Sequence, residues 1–143
     1  SMEKQIITDT LWKELEEKSK NMFFWVKFLI GEDEIIIDKK ISKDKFKYVV
    51  FINGVMRGVE TEENQIKYWF EKKTMMKQEH KKFYLGMAKL HKGEEKKKYQ
   101  ELAKQTVLRT YLIPSFGSFR ALKSAYKKRH EEIFLLETGN FHG

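Results

Sequence analysis

The sequence predicts an α+β fold, in which an antiparallel sheet of four to five strands packs with an N-terminal helix and three to four C-terminal helices. Runs of β-branched and aromatic residues fill positions 23–59, and Asn53-Gly54 separates two of them. After Thr61 the apolar residues recur at helical spacing. At 143 residues, the chain is near the commonest domain size, so we expect a single domain over residues 1–143.

The N-terminal helix is predicted over residues 8–20, where Thr8, Asp9 or Thr10 can cap its first turn. Its apolar stripe consists of Leu11, Trp12 and Leu15. The strands that follow are expected to form an up-and-down meander, with a fifth strand returning to the sheet near the C-terminus. The predicted strands are 23–30, 35–37, 46–52, 55–59 and 133–136. Residues 139–143 are expected to be a frayed tail.

The C-terminal helices are predicted from capping residues and apolar spacing. A helix begins after Thr61 and runs through Ile66, Trp69 and Phe70. Apolar residues then continue from Phe83 to Leu112 with an interruption at Gly93, which favours two helices with a break. The last helix follows Pro114, is capped by Ser115 or Ser118, and buries Phe119, Leu122 and Tyr126.

The net charge of +8 is unevenly distributed along the chain. Residues 1–62 carry 11 basic and 12 acidic side chains, whereas residues 63–143 carry 18 basic and 9 acidic ones. A basic half of this kind favours a polyanionic partner, although a lysine-rich surface also serves solubility alone.

Composition excludes several classes of protein. The absence of cysteine excludes disulfides and thiolate sites, and no apolar run is long enough to cross a membrane. We expect a cytoplasmic protein without a membrane partner, and Ser1 is interpreted as a residue left by tag cleavage. The oligomeric state is left open.

No familiar catalytic, metal or phosphate-binding motif is present, and we predict no cofactor and no metal site. His80 and His91 lie too far apart along one helix to share a metal ion. His130 with Glu131 or Glu132 is the only candidate for acid–base chemistry, and the favoured interpretation of these three is solvated residues at a helix–strand junction.

A cluster of cations in the last third of the chain predicts a nucleic-acid site. Arg120, Lys123 and Lys127 recur at helical spacing on the face opposite the apolar one. The predicted binding residues are Arg109, Arg120, Lys123, Lys127, Lys128 and Arg129. Lysines of the preceding helices could widen this surface, and Tyr84 or Tyr99 could stack on bases. The alternative is an ordinary solvated helix face.

Three stretches carry a resemblance to a known group of proteins. They are Trp25-Val-Lys-Phe with Glu34-Ile-Ile-Ile, then Val49-Val-Phe-Ile-Asn-Gly-Val-Met-Arg-Gly58, and finally Tyr111-Leu-Ile-Pro-Ser-Phe116 with Phe119-Arg120 and Glu132-Ile-Phe-Leu. In these stretches the chain resembles small proteins encoded by bacteriophages and prophages, most of which have no assigned function. The resemblance implies a host bacterial cell and a partner that is a host protein or nucleic acid, as for anti-CRISPR proteins. It implies no catalytic residue.

Three functions follow as hypotheses. The first is a non-enzymatic binding protein that engages DNA, RNA or a host nucleoprotein through its basic C-terminal half. The second is a protein–protein adaptor or inhibitor of a host factor, which binds through the sheet face or the Trp69/Phe70 region. The third is a small nuclease or transferase without a recognisable motif.

Overall fold

The computed structural model describes residues 3–54 and 60–140, and its large antiparallel sheet with five helices confirms the α+β class. The elements in chain order are β1 (Gln5–Ile6), α1 (Asp9–Lys18), β2 (Phe24–Ile30), β3 (Asp33–Ser42), β4 (Lys45–Ile52), α2 (Glu62–Tyr68), β5 (Phe70–Lys77), α3 (Lys81–Leu90), α4 (Gly93–Lys104), β6 (Thr106–Ile113), β7 (Ser115–Phe116), α5 (Phe119–Arg129) and β8 (Phe134–Asn140). Within the described ranges, no helix combines the length and apolar character needed to cross a bilayer.

The chain divides into two compact units. Residues 72–111 form the second unit, and the rest of the chain forms the first. Compactness alone does not establish whether the units unfold together, so the expectation of one domain stays a prediction.

The first unit contains a six-stranded sheet in the order β1-β8-β2-β3-β4-β7, with every neighbouring pair antiparallel. Strict alternation of buried and half-buried residues along β2 shows that one sheet face is covered, as period-2 patterning requires. The predicted C-terminal strand is confirmed as β8, which lies between β1 and β2 and extends to Asn140. The prediction of a frayed tail was therefore wrong for Gly139 and Asn140, which belong to a strand, and residues 141–143 lie outside the described residues.

Helices α1, α2 and α5 supply the other half of the core. Trp12 of α1 packs against Phe28 and Phe119, with ring centroids 5.6 and 6.1 Å apart. Tyr126 of α5 contacts Phe28 and Phe116 at 6.3 and 5.9 Å. Tilted and edge-on aromatic contacts of this kind add to the free energy of apolar burial, so these rings fix the helices to the sheet.

The predicted caps and turns are confirmed. The Thr8 hydroxyl accepts a hydrogen bond from Leu11 N at 3.2 Å, and the Ser118 hydroxyl accepts one from Ala121 N at 3.1 Å. Asn53 and Gly54, which were expected to separate two strands, adopt φ angles of +51° and +83°, and a type I′ turn requires positive φ angles at both of its central residues. The strand predicted over residues 55–59 lies outside the described residues.

The second unit consists of the helical hairpin α3–α4 and a sheet of two strands, β5 and β6. All of residues 72–111 are described, and Ala88 and Ala103 are the only buried hydrophobic residues among them. An isolated pair of strands and a hairpin with so little buried surface are marginally stable, so little internal packing holds this unit together.

Two predicted helix ends were wrong. The helix after Thr61 ends at Tyr68, and Phe70 begins β5. The helix that was expected to reach Leu112 ends at Lys104, and residues 106–113 form β6. In both segments the pairing of β5 with β6 replaces helical hydrogen bonds. The spacing of apolar residues along the sequence does not predict this pairing.

The C-terminal carbonyls of α2 are capped by side chains from the end of α5. The Tyr126 hydroxyl donates to Tyr68 O at 2.8 Å, and the Arg129 guanidinium donates to Trp69 O at 2.6 Å. His130 Nε2 lies 3.0 Å from Lys67 O. Three backbone acceptors that the helix leaves unpaired are thus satisfied by one neighbouring helix.

We predict that Tyr126→Phe lowers the free energy of unfolding by about 1–3 kcal/mol, because it leaves the buried carbonyl of Tyr68 without a donor. Chemical denaturation followed by circular dichroism measures the loss. The control is Tyr84→Phe, because no described residue bonds the Tyr84 hydroxyl and its loss should cost under about 0.5 kcal/mol. Equal stability of the two variants would contradict the capping role.

Candidate nucleic-acid interface

Helix α5 presents the predicted cationic face. Phe119, Leu122 and Tyr126 are buried, as expected from their spacing. Arg120, Lys123 and Lys127 therefore share the other side of the helix, where they lie three and four residues apart.

Acidic side chains of α1 lie against that face. Lys123 Nζ is 2.7 Å from Glu16 Oε1, and Lys127 Nζ is 2.8 Å from Asp9 Oδ1. Arg120 reaches the second oxygen of Glu16 at 3.6 Å. The hydrogen bond from Lys123 holds the pKa of Glu16 below its usual value, and the bond from Lys127 does the same for the pKa of Asp9. The two carboxylates consequently offset part of the positive charge of α5 inside the first unit.

The remaining predicted residues have separate environments. Arg129 donates to α2 carbonyls, whereas Lys128 is exposed and makes no ion pair with a described residue. Arg109 belongs to β6 in the second unit, where its guanidinium lies 2.9 Å from Glu79. Contact of these cations with nucleic acid stays a prediction.

His130 is placed as a structural group. Its ring stacks on Tyr68 with centroids 5.4 Å apart, and the bond to Lys67 O requires the proton to be on Nε2. Burial lowers the pKa of His130, and the charges of Arg129 and Lys67 lower it further, so the imidazole is neutral at pH 7. The stacking on Tyr68 and the bond to Lys67 O account for the position of His130 at the end of α5.

A cleft of about 980 Å³ opens beside His130 in the first unit. Its walls are the β2–β3 turn, α2 and the residues after α5. They carry five carboxylates, against the two cations Lys67 and Arg129. Because phosphates are repelled by such a surface, the cleft is a poor site for nucleic acid. Among the described residues, no three His, Asp or Glu side chains are placed so that they could hold one metal ion together.

The whole net charge of the protein lies in the second unit. Residues 72–111 hold 12 basic and 4 acidic side chains, and the first unit holds 17 of each. The charges counted for residues 1–62 and 63–143 did not show this distribution. The cations of α5 fell in the second range, whereas the acids that pair with them fell in the first. A window of 40 residues along the sequence could have revealed it.

The aromatic residues of the second unit differ in exposure. Tyr84 and Tyr99, which were expected to offer stacking surfaces, are half-buried and stack on each other at 6.4 Å. Phe83 is 61 % exposed instead.

We predict that Lys123→Glu destabilises the protein by about 1 kcal/mol or more, because it places a second carboxylate beside Glu16. Thermal unfolding measures the effect. The double variant Glu16→Lys/Lys123→Glu restores most of the lost stability if the pair interacts directly. A double variant whose loss of stability equals the sum of the two single losses would contradict that interaction.

We predict that stability falls as the pH drops below about 6.5, because the unfolded chain binds a proton at His130 that the folded protein resists. The contribution of neutral His130 to the free energy of unfolding is complete above this pH and is lost as the pH falls through the lowered pKa of His130. Denaturant titrations across this range measure it. His130→Gln keeps a donor for Lys67 O but cannot titrate, so it should flatten the dependence, and an unchanged slope would contradict the assignment.

No protein-family model, curated protein or solved structure matches this chain, so the resemblance to phage proteins stays a prediction.

Proposed function

We propose that this protein binds nucleic acid or a nucleoprotein without catalysing a reaction, and that the second unit is the main binding surface. The observation that supports this is the segregation of charge: the first unit is neutral, and residues 72–111 carry all of the +8. This surface lies within the basic C-terminal half predicted from the sequence, but it consists of the helical hairpin and the two strands that flank it, and not of α5.

Most cations of the second unit are exposed at its surface. These basic side chains are Lys72, Lys73, Lys77, Lys82, Lys89, Lys92, Lys96, Lys97, Lys98, Lys104 and Arg109. Lys96, Lys97 and Lys98 on α4 make no ion pair with a described residue, so they are available to an external polyanion. Such lysines repel one another in the free protein, and binding to phosphates removes this repulsion while releasing condensed counterions.

Binding without chemistry agrees with the placement of the one catalytic candidate. His130 Nε2 is bonded to a backbone carbonyl, and both Glu131 and Glu132 are exposed next to an acidic cleft. A nuclease needs its substrate phosphate beside these groups, and the surrounding carboxylates oppose that approach.

We predict that Lys96→Gln/Lys97→Gln/Lys98→Gln weakens binding to a labelled duplex and makes its salt dependence shallower. The log–log slope should fall by up to about 0.9 for each phosphate that the variant no longer neutralises. Fluorescence anisotropy between about 50 and about 200 mM salt measures both quantities.

The matched control is Lys13→Gln/Lys18→Gln/Lys20→Gln, which removes the same charge from exposed positions of the first unit. It should bind nearly as the unmodified protein does. Equal effects of the two triple variants would overturn the assignment to the second unit, and a protein that binds no nucleic acid at low salt would overturn the function itself.

A second candidate function is supported by the apolar surface of α3. Phe83 and Leu90, two of the apolar residues that recur at helical spacing, are 61 % and 78 % exposed, and lysines flank them. An acidic protein with an apolar groove would complement this helix. The Trp69/Phe70 region is a weaker adaptor surface, because Trp69 is buried. A complex that withstands nuclease but does not form with Phe83→Ser/Leu90→Ser would favour this alternative.

A further inference from the structure

The β3–β4 hairpin projects beyond the sheet as a two-stranded ribbon, which we define as residues 39–47. On one side, β2 pairs with β3 only as far as Asp38, and on the other, β7 pairs with β4 only from Tyr48 onwards. The pairs Lys40↔Lys47, Ile41↔Phe46 and Ser42↔Lys45 therefore have no third strand of the described chain beside them. At about 3.3 Å per residue, the ribbon reaches roughly 13 Å beyond the sheet.

The ribbon is strongly basic although the first unit as a whole is neutral. It contains five lysines and one acid, Asp44. Lys39 is engaged at its base, where Nζ donates to Ser19 O at 2.8 Å and to Asn21 O at 3.1 Å. Lys40 lies 3.7 Å from Asp38. The other three lysines are exposed and make no ion pair with a described residue; they are Lys43, Lys45 and Lys47.

Several features of the ribbon lower stability in the free protein. Lys40 and Lys47 are cross-strand partners, and like charges in such pairs repel. Ile41 is 67 % exposed and Phe46 is 37 % exposed. Lys43 adopts a φ of +49°, and a backbone angle in this range costs free energy for residues other than glycine or asparagine. When several destabilising features occur together on one exposed element, they indicate that the element serves binding.

We infer that the ribbon is a second, separate binding element for nucleic acid and that it enters the major groove of duplex DNA. A two-stranded ribbon fits this groove, which is about 12 Å wide in B-form DNA. The exposed lysines would reach the phosphates along the groove edges, and Ile41 and Phe46 would contact thymine methyl groups. In duplex RNA the major groove is deep and narrow, so the ribbon selects DNA over RNA.

This inference rests on the proposed function, and the test compares two triple variants of equal charge. Lys43→Gln/Lys45→Gln/Lys47→Gln removes the exposed lysines of the ribbon, and the α1 variant Lys13→Gln/Lys18→Gln/Lys20→Gln is the control. The probes are a labelled DNA duplex and an RNA duplex of the same sequence, with anisotropy as the readout. We expect the ribbon variant to lose about tenfold or more in DNA affinity with a shallower salt slope, and to lose the preference for DNA.

The apolar contribution is tested separately with Ile41→Ser. Because Ile41 is largely exposed, this change should leave the melting temperature of the protein nearly unaltered. We expect weaker DNA binding with an unchanged salt slope, since no cation is removed. Unaltered DNA affinity would overturn the groove contact of Ile41.

The outcomes separate the inference from the proposed function. One outcome is that the unmodified protein binds DNA, that the α4 variant binds weakly, and that the ribbon variant binds as well as the α1 control. In that case the ribbon inference fails while the proposed function stands. Equal affinity of the unmodified protein for the DNA and RNA duplexes also overturns the groove assignment. Absence of all nucleic-acid binding at low salt overturns the proposed function, and the ribbon inference with it.

Discussion

The burial of Tyr126 is the interaction on which the first unit depends. Its ring lies between Phe28 of the sheet and Phe116, and its hydroxyl caps the carbonyl of Tyr68 at the end of α2. Tyr68 in turn donates to Asp33 Oδ2 at 2.6 Å, which holds the pKa of Asp33 below its usual value and ties α2 to the β2–β3 turn. Tyr126 and Tyr68 together thus hold α5, the end of α2 and the β2–β3 turn in place.

The same placement of α5 decides what its cations do. With its apolar face on the sheet, the helix turns Lys123 and Lys127 towards the acids of α1, with which they form ion pairs. Such pairs contribute little to stability, but they reduce the positive potential available to a partner. The first unit therefore carries no net charge although its ribbon is basic, and the excess of positive charge lies in residues 72–111.

Prediction succeeded where a local signal fixes the backbone, as at Thr8, Asn53-Gly54 and Ser118. It failed over residues 70–77, because Phe-Glu-Lys-Lys-Thr-Met-Met-Lys has no strong strand alternation and forms a strand through pairing with β6. It also failed over residues 106–113, where helical spacing from α4 was extended into a segment rich in threonine and β-branched side chains. The ribbon was missed because its projection depends on where β2 and β7 stop pairing.

The sequence by itself determined the α+β class, the starts of α1, α2 and α5, the turn at Asn53 and the excess of positive charge, since these depend on residues close together in the chain. The tertiary structure decided which charges are neutralised. Glu16 and Lys123 are 107 residues apart in the chain and form a hydrogen bond of 2.7 Å, which only the packing of α1 beside α5 brings about. Neutralisation is a property of distance in space, whereas a sequence records distance along the chain.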